Sequence, residues 1–154
     1  MKARTLALTL LMLFVGLTMC FASNPSLGTW KLNEAKSKMV AGTPKNLTVT
    51  YAAAGADIKG TIDGVDGQGK PTHNEWTGKF DGKDYPVTGD PNSDMRAIKQ
   101  IDDQNYDLTV KKAGKVTMTG KAVVSANGKT RTVTISATDA SGKKVTSTAV
   151  YDKQ

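Results

Sequence analysis

The stretch NYDLTVKKAGKVTMTGKAVVSANGKTRTVTISAT, residues 105–138, shows how this chain folds. In its last segment, residues 130–138, Thr and Ser alternate with Val, Ile and Ala. Alternation with a period of two is typical of a strand that has one packed face and one face in water. Two breaks, Ala113-Gly114 and Asn127-Gly128, separate three such segments, and Gly suits the positive φ of a tight hairpin. The stretch therefore predicts three consecutive antiparallel strands.

The same pattern extends over most of the chain on both sides of this stretch. Turns that contain Gly recur at intervals of roughly 8–12 residues, which is typical of a sandwich or a barrel. Because most links are short, neighbouring segments should pair, and a long meander hides its edges best by closing. We therefore predict an all-β, antiparallel, up-and-down meander barrel of roughly eight to ten strands. The candidate strands are residues 28–33, 46–54, 56–63, 71–80, 83–88, 94–101, 105–112, 115–125, 130–138 and 144–152.

The N-terminal residues have the features of a secretory signal peptide. Lys2 and Arg4 precede a short apolar run, and the small residue Ala22 ends it. We expect residues 1–22 to be cleaved, which leaves one mature domain, residues 23–154, in the periplasm or outside the cell. The apolar run is too short for a secure membrane span of about 20 residues, so we expect no span in the mature form.

Cys20 leaves a second interpretation of this segment open. Leu17-Thr18-Met19-Cys20 loosely resembles the lipobox of bacterial lipoproteins, in which the Cys becomes the lipidated first residue. In either case the mature domain contains no disulfide, because Cys20 is the sole cysteine.

The charge pattern bears on possible partners. The formal net charge is +7, but the lysines are spread over many predicted turns. A nucleic-acid surface would concentrate Lys and Arg with aromatic residues between them. We therefore expect no nucleic-acid partner, and we expect the protein to be a monomer.

Both ends of the predicted barrel resemble one group of proteins. Gly28-Thr29-Trp30-Lys31-Leu32 resembles the Gly-x-Trp opening of lipocalins and fatty-acid-binding proteins, and STAVYDK, residues 147–153, resembles the last strand of the latter. With DYPVTGDP at residues 84–91, the chain as a whole resembles small exported lipocalin-like bacterial proteins. The resemblance implies a calycin-like barrel.

The resemblance also implies how one end of the barrel closes. In these families the Trp of the Gly-x-Trp motif plugs the bottom of the barrel beneath a basic side chain. Here Gly28 and Trp30 would close the barrel, and Arg131 or Lys153 would lie over the indole through a cation–π contact.

The chain departs from the fatty-acid-binding pattern in two places. Those proteins cover the barrel mouth with a helix-turn-helix after the first strand, whereas residues 34–45 allow only a short helix, so we expect no full helical lid. Those proteins also anchor the ligand carboxylate with Arg-x-Tyr in the last strand, where this chain has Ala149-x-Tyr151. A buried carboxylate without its Arg partner is costly, so the resemblance does not carry that anchor over.

The predicted inner faces provide the functional clue. They mix small and large residues, and a barrel of about eight to ten strands is wide enough to hold a small ligand. We expect a non-catalytic, cofactor-free binding protein for a small, largely apolar molecule, with Tyr151 donating the polar contact. The predicted lining residues are Trp76, Phe80, Met95, Tyr106, Met118 and Tyr151.

A protein-binding role is the alternative. The same residues are compatible with a filled core, and the barrel would then be an inhibitor or an envelope-stress scaffold. Catalysis has little support, because His73 is the sole histidine and lacks partners for a metal site or an activated nucleophile. We interpret His73 as a solvated strand residue. Residues 63–69, although acidic and Gly-rich, lack the spacing of a calcium or phosphate loop, and we interpret them as a hairpin turn.

Overall fold

The computed structural model describes residues 24–138 and 143–154. The predicted signal peptide therefore lies outside the described residues. Within them the chain forms ten strands and one 3-10 turn, Glu34–Lys36. The strands are β1 (Gly28–Leu32), β2 (Lys45–Ala54), β3 (Asp57–Val65), β4 (Pro71–Gly78), β5 (Tyr85–Thr88), β6 (Met95–Gln100), β7 (Asn105–Lys112), β8 (Lys115–Val124), β9 (Thr130–Thr138) and β10 (Lys144–Lys153).

The ten strands form one closed, antiparallel, up-and-down barrel. Each strand pairs with its neighbours in sequence, and β1 pairs with β10 through Trp30↔Lys153, Lys31↔Asp152 and Leu32↔Tyr151. The predicted fold class is thus confirmed. Closure leaves no unpaired sheet edge of the kind that promotes aggregation.

The connection between β1 and β2 confirms that a full helical lid is absent from this part of the chain. Its regular structure is the 3-10 turn Glu34–Lys36, which Asn33 caps by accepting a hydrogen bond from the Lys36 backbone N–H. An isolated bridge between Lys38 and Thr148 then holds the connection against β10.

One end of the barrel, where β1 begins and β10 ends, is sealed; we call it the closed end. Trp30 and Val124 are fully buried there, and Ser26 is 1% exposed. The Trp30 indole donates a hydrogen bond to the Ser26 carbonyl oxygen at 2.8 Å, and Tyr106 donates one to the Asn24 side chain at 2.9 Å. The chain that precedes β1 therefore folds under the barrel and plugs it.

The opposite end, where β7 ends and β8 begins, is less covered; we call it the open end. Met118, Ala137 and Val145 are cross-strand neighbours in a row near this end. All three lie at inward-facing positions of their strands, but they are only half-buried. The interior is therefore most accessible from this side.

Candidate functional site: two buried arginines inside the barrel

Four of the six predicted lining residues come together inside the barrel. Trp76, Tyr106 and Tyr151 are 2–4% exposed, and half-buried Phe80 packs against them. The Phe80 ring centroid lies 6.1 Å from that of Trp76 and 5.5 Å from that of Tyr106. Tyr51, which the sequence analysis did not select, joins the cluster edge-on to Phe80 at 5.6 Å. The core of the barrel is thus an aromatic cluster with hydroxyl groups.

The other two predicted lining residues lie elsewhere. Met118 is half-buried near the open end, on the inward side of β8. Met95 is 38% exposed, and the prediction that it faces the interior is wrong. On β6 the inward side chains are Arg96 and Ile98, which are 9% and 4% exposed. Because Met95 alternates with them, it faces outward.

Of the residues predicted to close the barrel, Gly28 and Trp30 lie at the closed end, and Lys153 lies over the Trp30 ring. Lys153 Nζ lies 5.0 Å from the centroid of the Trp30 ring and donates a hydrogen bond to the Pro25 carbonyl at 3.1 Å. Gly28 has φ +115°, and a Cβ there would lie 2.8 Å from Lys153 Cε. Gly28 and Trp30 therefore close this end as expected, and Lys153 is the basic partner.

The closing role predicted for Arg131 is wrong. Arg131 lies inside the barrel, where its guanidinium stacks 4.9 Å from the Tyr51 ring centroid and donates a hydrogen bond to the Tyr51 hydroxyl at 3.3 Å. The closure register pairs Trp30 with Lys153, whereas Arg131 pairs with Val124 and Tyr151. Arg131 is 6% exposed.

Arg96 is the second buried guanidinium. Its Nη2 donates a hydrogen bond to Asn74 Oδ1 at 3.3 Å, and Asn74 is itself buried. Burial lowers the pKa of Arg96, and the positive charge of Arg131 lowers it further, while Tyr51 and Asp90 act in the opposite direction. The Arg96 guanidinium is therefore buried with a neutral amide oxygen as its hydrogen-bond acceptor.

Neither arginine forms an ion pair within the described residues, whose salt bridges all involve Lys or His. Arg131 Nε is buried without a hydrogen-bond acceptor, and so is Trp76 Nε1. Tyr151 lies beside them, and burial raises its pKa to about 12 against the lowering effect of Arg131, so its hydroxyl stays protonated. Among the described residues, the interior thus holds two buried cations and two N–H donors without an acceptor.

Arg96 is not among the residues predicted from the sequence, although a signal for it is present. The chain has three arginines against eighteen lysines, and Arg96 and Arg131 are two of those three. Lysine is the solvated surface cation, whereas Arg is preferred where a charge is buried and must bind a planar anion. Two arginines at strand positions in a Lys-rich chain therefore indicate cations that are buried inside the barrel.

Two glycines on the inner faces lie directly against aromatic rings. A Cβ at Gly60 would collide with the Trp76 indole, and one at Gly78 with the Tyr85 ring. Protein side chains therefore fill the space beside both.

His73 lies on the outer face of β4, where it contacts two carboxylates. Its Nδ1 is 2.7 Å from Asp63 Oδ1, and its Nε2 is 3.7 Å from Glu75 Oε1. The hydrogen bond with Asp63 is the main cause that raises the His73 pKa. In the part of the chain that the structure describes, no three His, Cys, Asp or Glu side chains form a group that could hold a metal.

The outer wall also carries a shallow concavity of about 400 Å³. Hydroxyl side chains and the ion pair of Lys121 with Asp107 line it over β7, β8 and β9. It contains no buried polar group without a partner, unlike the interior.

Comparisons with known proteins add no relative. No protein-family model matches the chain, and no curated protein matches it. Among residues 24–138 and 143–154, no helix has the length and apolar character needed to cross a membrane. The protein is therefore a closed ten-stranded antiparallel barrel with two arginines buried in its interior.

Proposed function

We propose that this barrel is a non-catalytic binding protein for a small, largely apolar molecule that carries an anionic group. The anion would lie between Arg96 and Arg131, and the apolar part would contact the aromatic cluster and extend towards the open end. One observation carries this proposal: both guanidinium groups are buried and, among the described residues, neither lies within ion-pair distance of a carboxylate.

The physical argument is that uncompensated buried charge is expensive. Moving a cation out of water costs several kcal/mol even after the protein relaxes, and a nearby counter-ion recovers that cost only with good geometry. Two such cations in one interior are harder still to explain as packing alone. A bound anion would compensate both, and it would accept hydrogen bonds from the free Arg131 Nε.

The surroundings of the arginines support an amphipathic ligand over a free inorganic anion. Trp76, Phe80 and Tyr51 form an apolar cluster that Arg131 contacts through the Tyr51 ring. Half-buried Met118 and Val145 lie at inward strand positions nearer the open end. The Tyr151 hydroxyl remains the predicted polar contact, since it is neutral and buried. Ligand sites usually combine such apolar walls with a few convergent polar groups.

We place this function outside the cytoplasm, as the signal-like segment at residues 1–22 suggests. The alternative, a protein-binding scaffold with a filled core, is supported by the rings that cover Gly60 and Gly78. The two proposals differ in whether the interior accepts a small molecule.

Ligands with one alkyl chain and different head groups test the proposal. We expect dodecanoate and dodecyl sulfate to change the Trp fluorescence and to give a one-to-one complex in native mass spectrometry. Dodecanol and dodecyltrimethylammonium should bind at least about tenfold more weakly, which corresponds to about 1.4 kcal/mol. Equal affinities for all four would refute the anion site, and no binding by any would favour the filled scaffold.

Variants locate the site. Arg131→Met and Arg96→Met should each remove most of the preference for dodecanoate over dodecanol. Lys121→Met is the matched control, because it also removes one positive charge but from the outer face. If all three variants weaken dodecanoate binding equally, only the net charge of the protein matters.

A further inference from the structure

The β7–β8 hairpin at the open end carries exposed lysines that are not required to form the turn. Lys112 and Lys115 face each other across the hairpin, and both are exposed. Like charges directly opposite each other destabilise a strand pair. Neither forms an ion pair in the described ranges, whereas Lys111, next to them, is bound to Asp84 at 2.6 Å.

The backbone of this tip is held in a strained but well-anchored conformation. Ala113 has φ +49° and is the one non-glycine residue with positive φ in the described part of the chain. Its N–H donates a hydrogen bond to Asp94 Oδ2 at 2.8 Å, and the Asp94 N–H donates to the Lys111 carbonyl at 3.0 Å. A left-handed conformation costs Ala about 1–2 kcal/mol, so the clamp from Asp94 has to hold it. The two lysines are thus presented on a fixed turn.

Apolar side chains are exposed beside the same lysines. Val116 is 56% exposed and Met95 is 38% exposed, and both are cross-strand neighbours of Lys111. Val116 is the most exposed of the large hydrophobic residues in the described ranges. Lys144, at the start of β10 and hence at the same end, adds a further exposed cation.

Three lysines at the closed end and along the outer wall contrast with this tip. Lys79 contacts Asp57, Lys83 contacts Asp81, and Lys121 contacts Asp107. Their charge is therefore balanced locally, whereas the tip combines free cations with exposed aliphatic side chains.

We infer that the tip of the β7–β8 hairpin, residues 111–116, docks the barrel on an anionic lipid surface. Lys112, Lys115 and Lys144 would contact the head groups, and Val116 would enter the interface. Each basic residue near such a surface contributes about 1 kcal/mol, so three lysines with a small apolar insertion give reversible attachment. A nucleic acid would use the lysines but not the aliphatic side chain. Docking through this tip does not require the proposed ligand, although docking at the open end would bring the interior next to the membrane.

Vesicle flotation tests the inference. The purified protein is mixed with vesicles of phosphatidylcholine alone or of phosphatidylcholine with phosphatidylglycerol, at low and high salt. We expect it to float only with the anionic vesicles, and the bound fraction should fall as salt screens the charges. Binding to neutral vesicles as well would overturn the electrostatic mechanism, and no binding to either would overturn the docking.

Matched variants distinguish the effect of the tip lysines from the effect of net charge. Lys112→Ser with Lys115→Ser should reduce the bound fraction at least about fivefold, because two cationic contacts with the head groups are lost. Lys83→Ser with Lys129→Ser removes the same charge at the closed end and should leave binding unchanged. Equal loss in both pairs would overturn the inference.

Val116→Ser tests the apolar contact and the choice of partner, because it removes the aliphatic side chain without changing the charge. It should weaken flotation with anionic vesicles and leave retention on heparin unchanged. If flotation is not weakened, the tip is a general polyanion site and the lipid assignment is wrong. Circular dichroism of every variant shows whether the barrel is still folded.

Discussion

Arg131 and Tyr51, eighty positions apart in the chain, meet inside the barrel through two contacts. The guanidinium donates a hydrogen bond to the Tyr51 hydroxyl at 3.3 Å and lies 4.9 Å from the centroid of its ring. A cation–π contact and one neutral acceptor do not replace a counter-ion, and Arg131 Nε stays without any acceptor. Arg131 therefore keeps an N–H donor without an acceptor in the buried interior of the barrel.

Arg131→Met should stabilise the ligand-free protein. Replacing an uncompensated buried cation with an apolar side chain of similar length removes its desolvation penalty, which outweighs the lost contacts with Tyr51. We expect the free energy of unfolding to rise by about 1–2 kcal/mol in urea titrations. Arg131→Lys, which keeps the charge but not the planar fork, should not be stabilised. A clear loss of stability in the Met variant would show that the arginine is a structural residue.

Lys153→Met should destabilise the closed end. It removes the cation from the Trp30 ring and the hydrogen bond to the Pro25 carbonyl. Together these contribute about 1–2 kcal/mol to the free energy of unfolding. Lys31→Met is the control, because Lys31 is exposed and lies in the strand that pairs with the end of β10. Equal effects of the two substitutions would mean that the contact over Trp30 contributes nothing.

The fold can be predicted from the sequence because most strands have two faces of clearly different polarity. In β7, Tyr106 and Val110 alternate with Asp107 and Thr109, so both the strand and its inward side could be predicted. In β6 this contrast is missing, since Met95 and Ala97 on one face alternate with Arg96 and Ile98 on the other. Because Arg is polar, the hydropathy pattern predicts that Arg96 faces outward and that Met95, on the other face, points inward. Only tertiary packing shows that Arg96 is buried.

The partner of Trp30 was uncertain for a different reason. Arg131 and Lys153 are both basic residues near strand ends, and local sequence does not distinguish them. The register of β1 against β10, which pairs Trp30 with Lys153, decides between them. Such a register depends on closure of the whole barrel and not on any short motif.

Gly60→Ala should disturb the aromatic cluster. The added methyl group would collide with the Trp76 indole, and overpacking of this kind costs about 1–3 kcal/mol of unfolding free energy. A smaller ring should relieve the collision, so Gly60→Ala with Trp76→Phe should lose less stability than the sum of the two single variants. Additive losses in a double-mutant cycle would show that the two side chains do not touch.

His73 should titrate above its ordinary pKa of about 6.5, chiefly because of its hydrogen bond with Asp63. Since the folded pKa is raised, the stabilising contribution of the pair is fully present below pH 6.5 and is lost as the pH rises through the folded value. NMR of the imidazole protons measures the folded pKa, and Asp63→Asn should lower it towards the ordinary value. An unchanged pKa in that variant would assign the shift to another cause, with Glu75 the remaining carboxylate neighbour.

Ala113→Asn should stabilise the β7–β8 hairpin. Ala113 and Gly114 both have positive φ, and Asn-Gly is the preferred pair for such a two-residue turn, because Asn tolerates the left-handed conformation that costs Ala. We expect the free energy of unfolding to rise by about 0.5–1 kcal/mol. Ala113→Val should have the opposite effect, because a β-branched side chain is strained at positive φ. Ala126→Asn, at an exposed turn position without positive φ, should stay within about 0.5 kcal/mol of the starting protein. If Asn and Val at position 113 shift stability in the same direction, backbone conformation does not govern this turn. The hydrogen bond from its N–H to Asp94 would then be the dominant restraint.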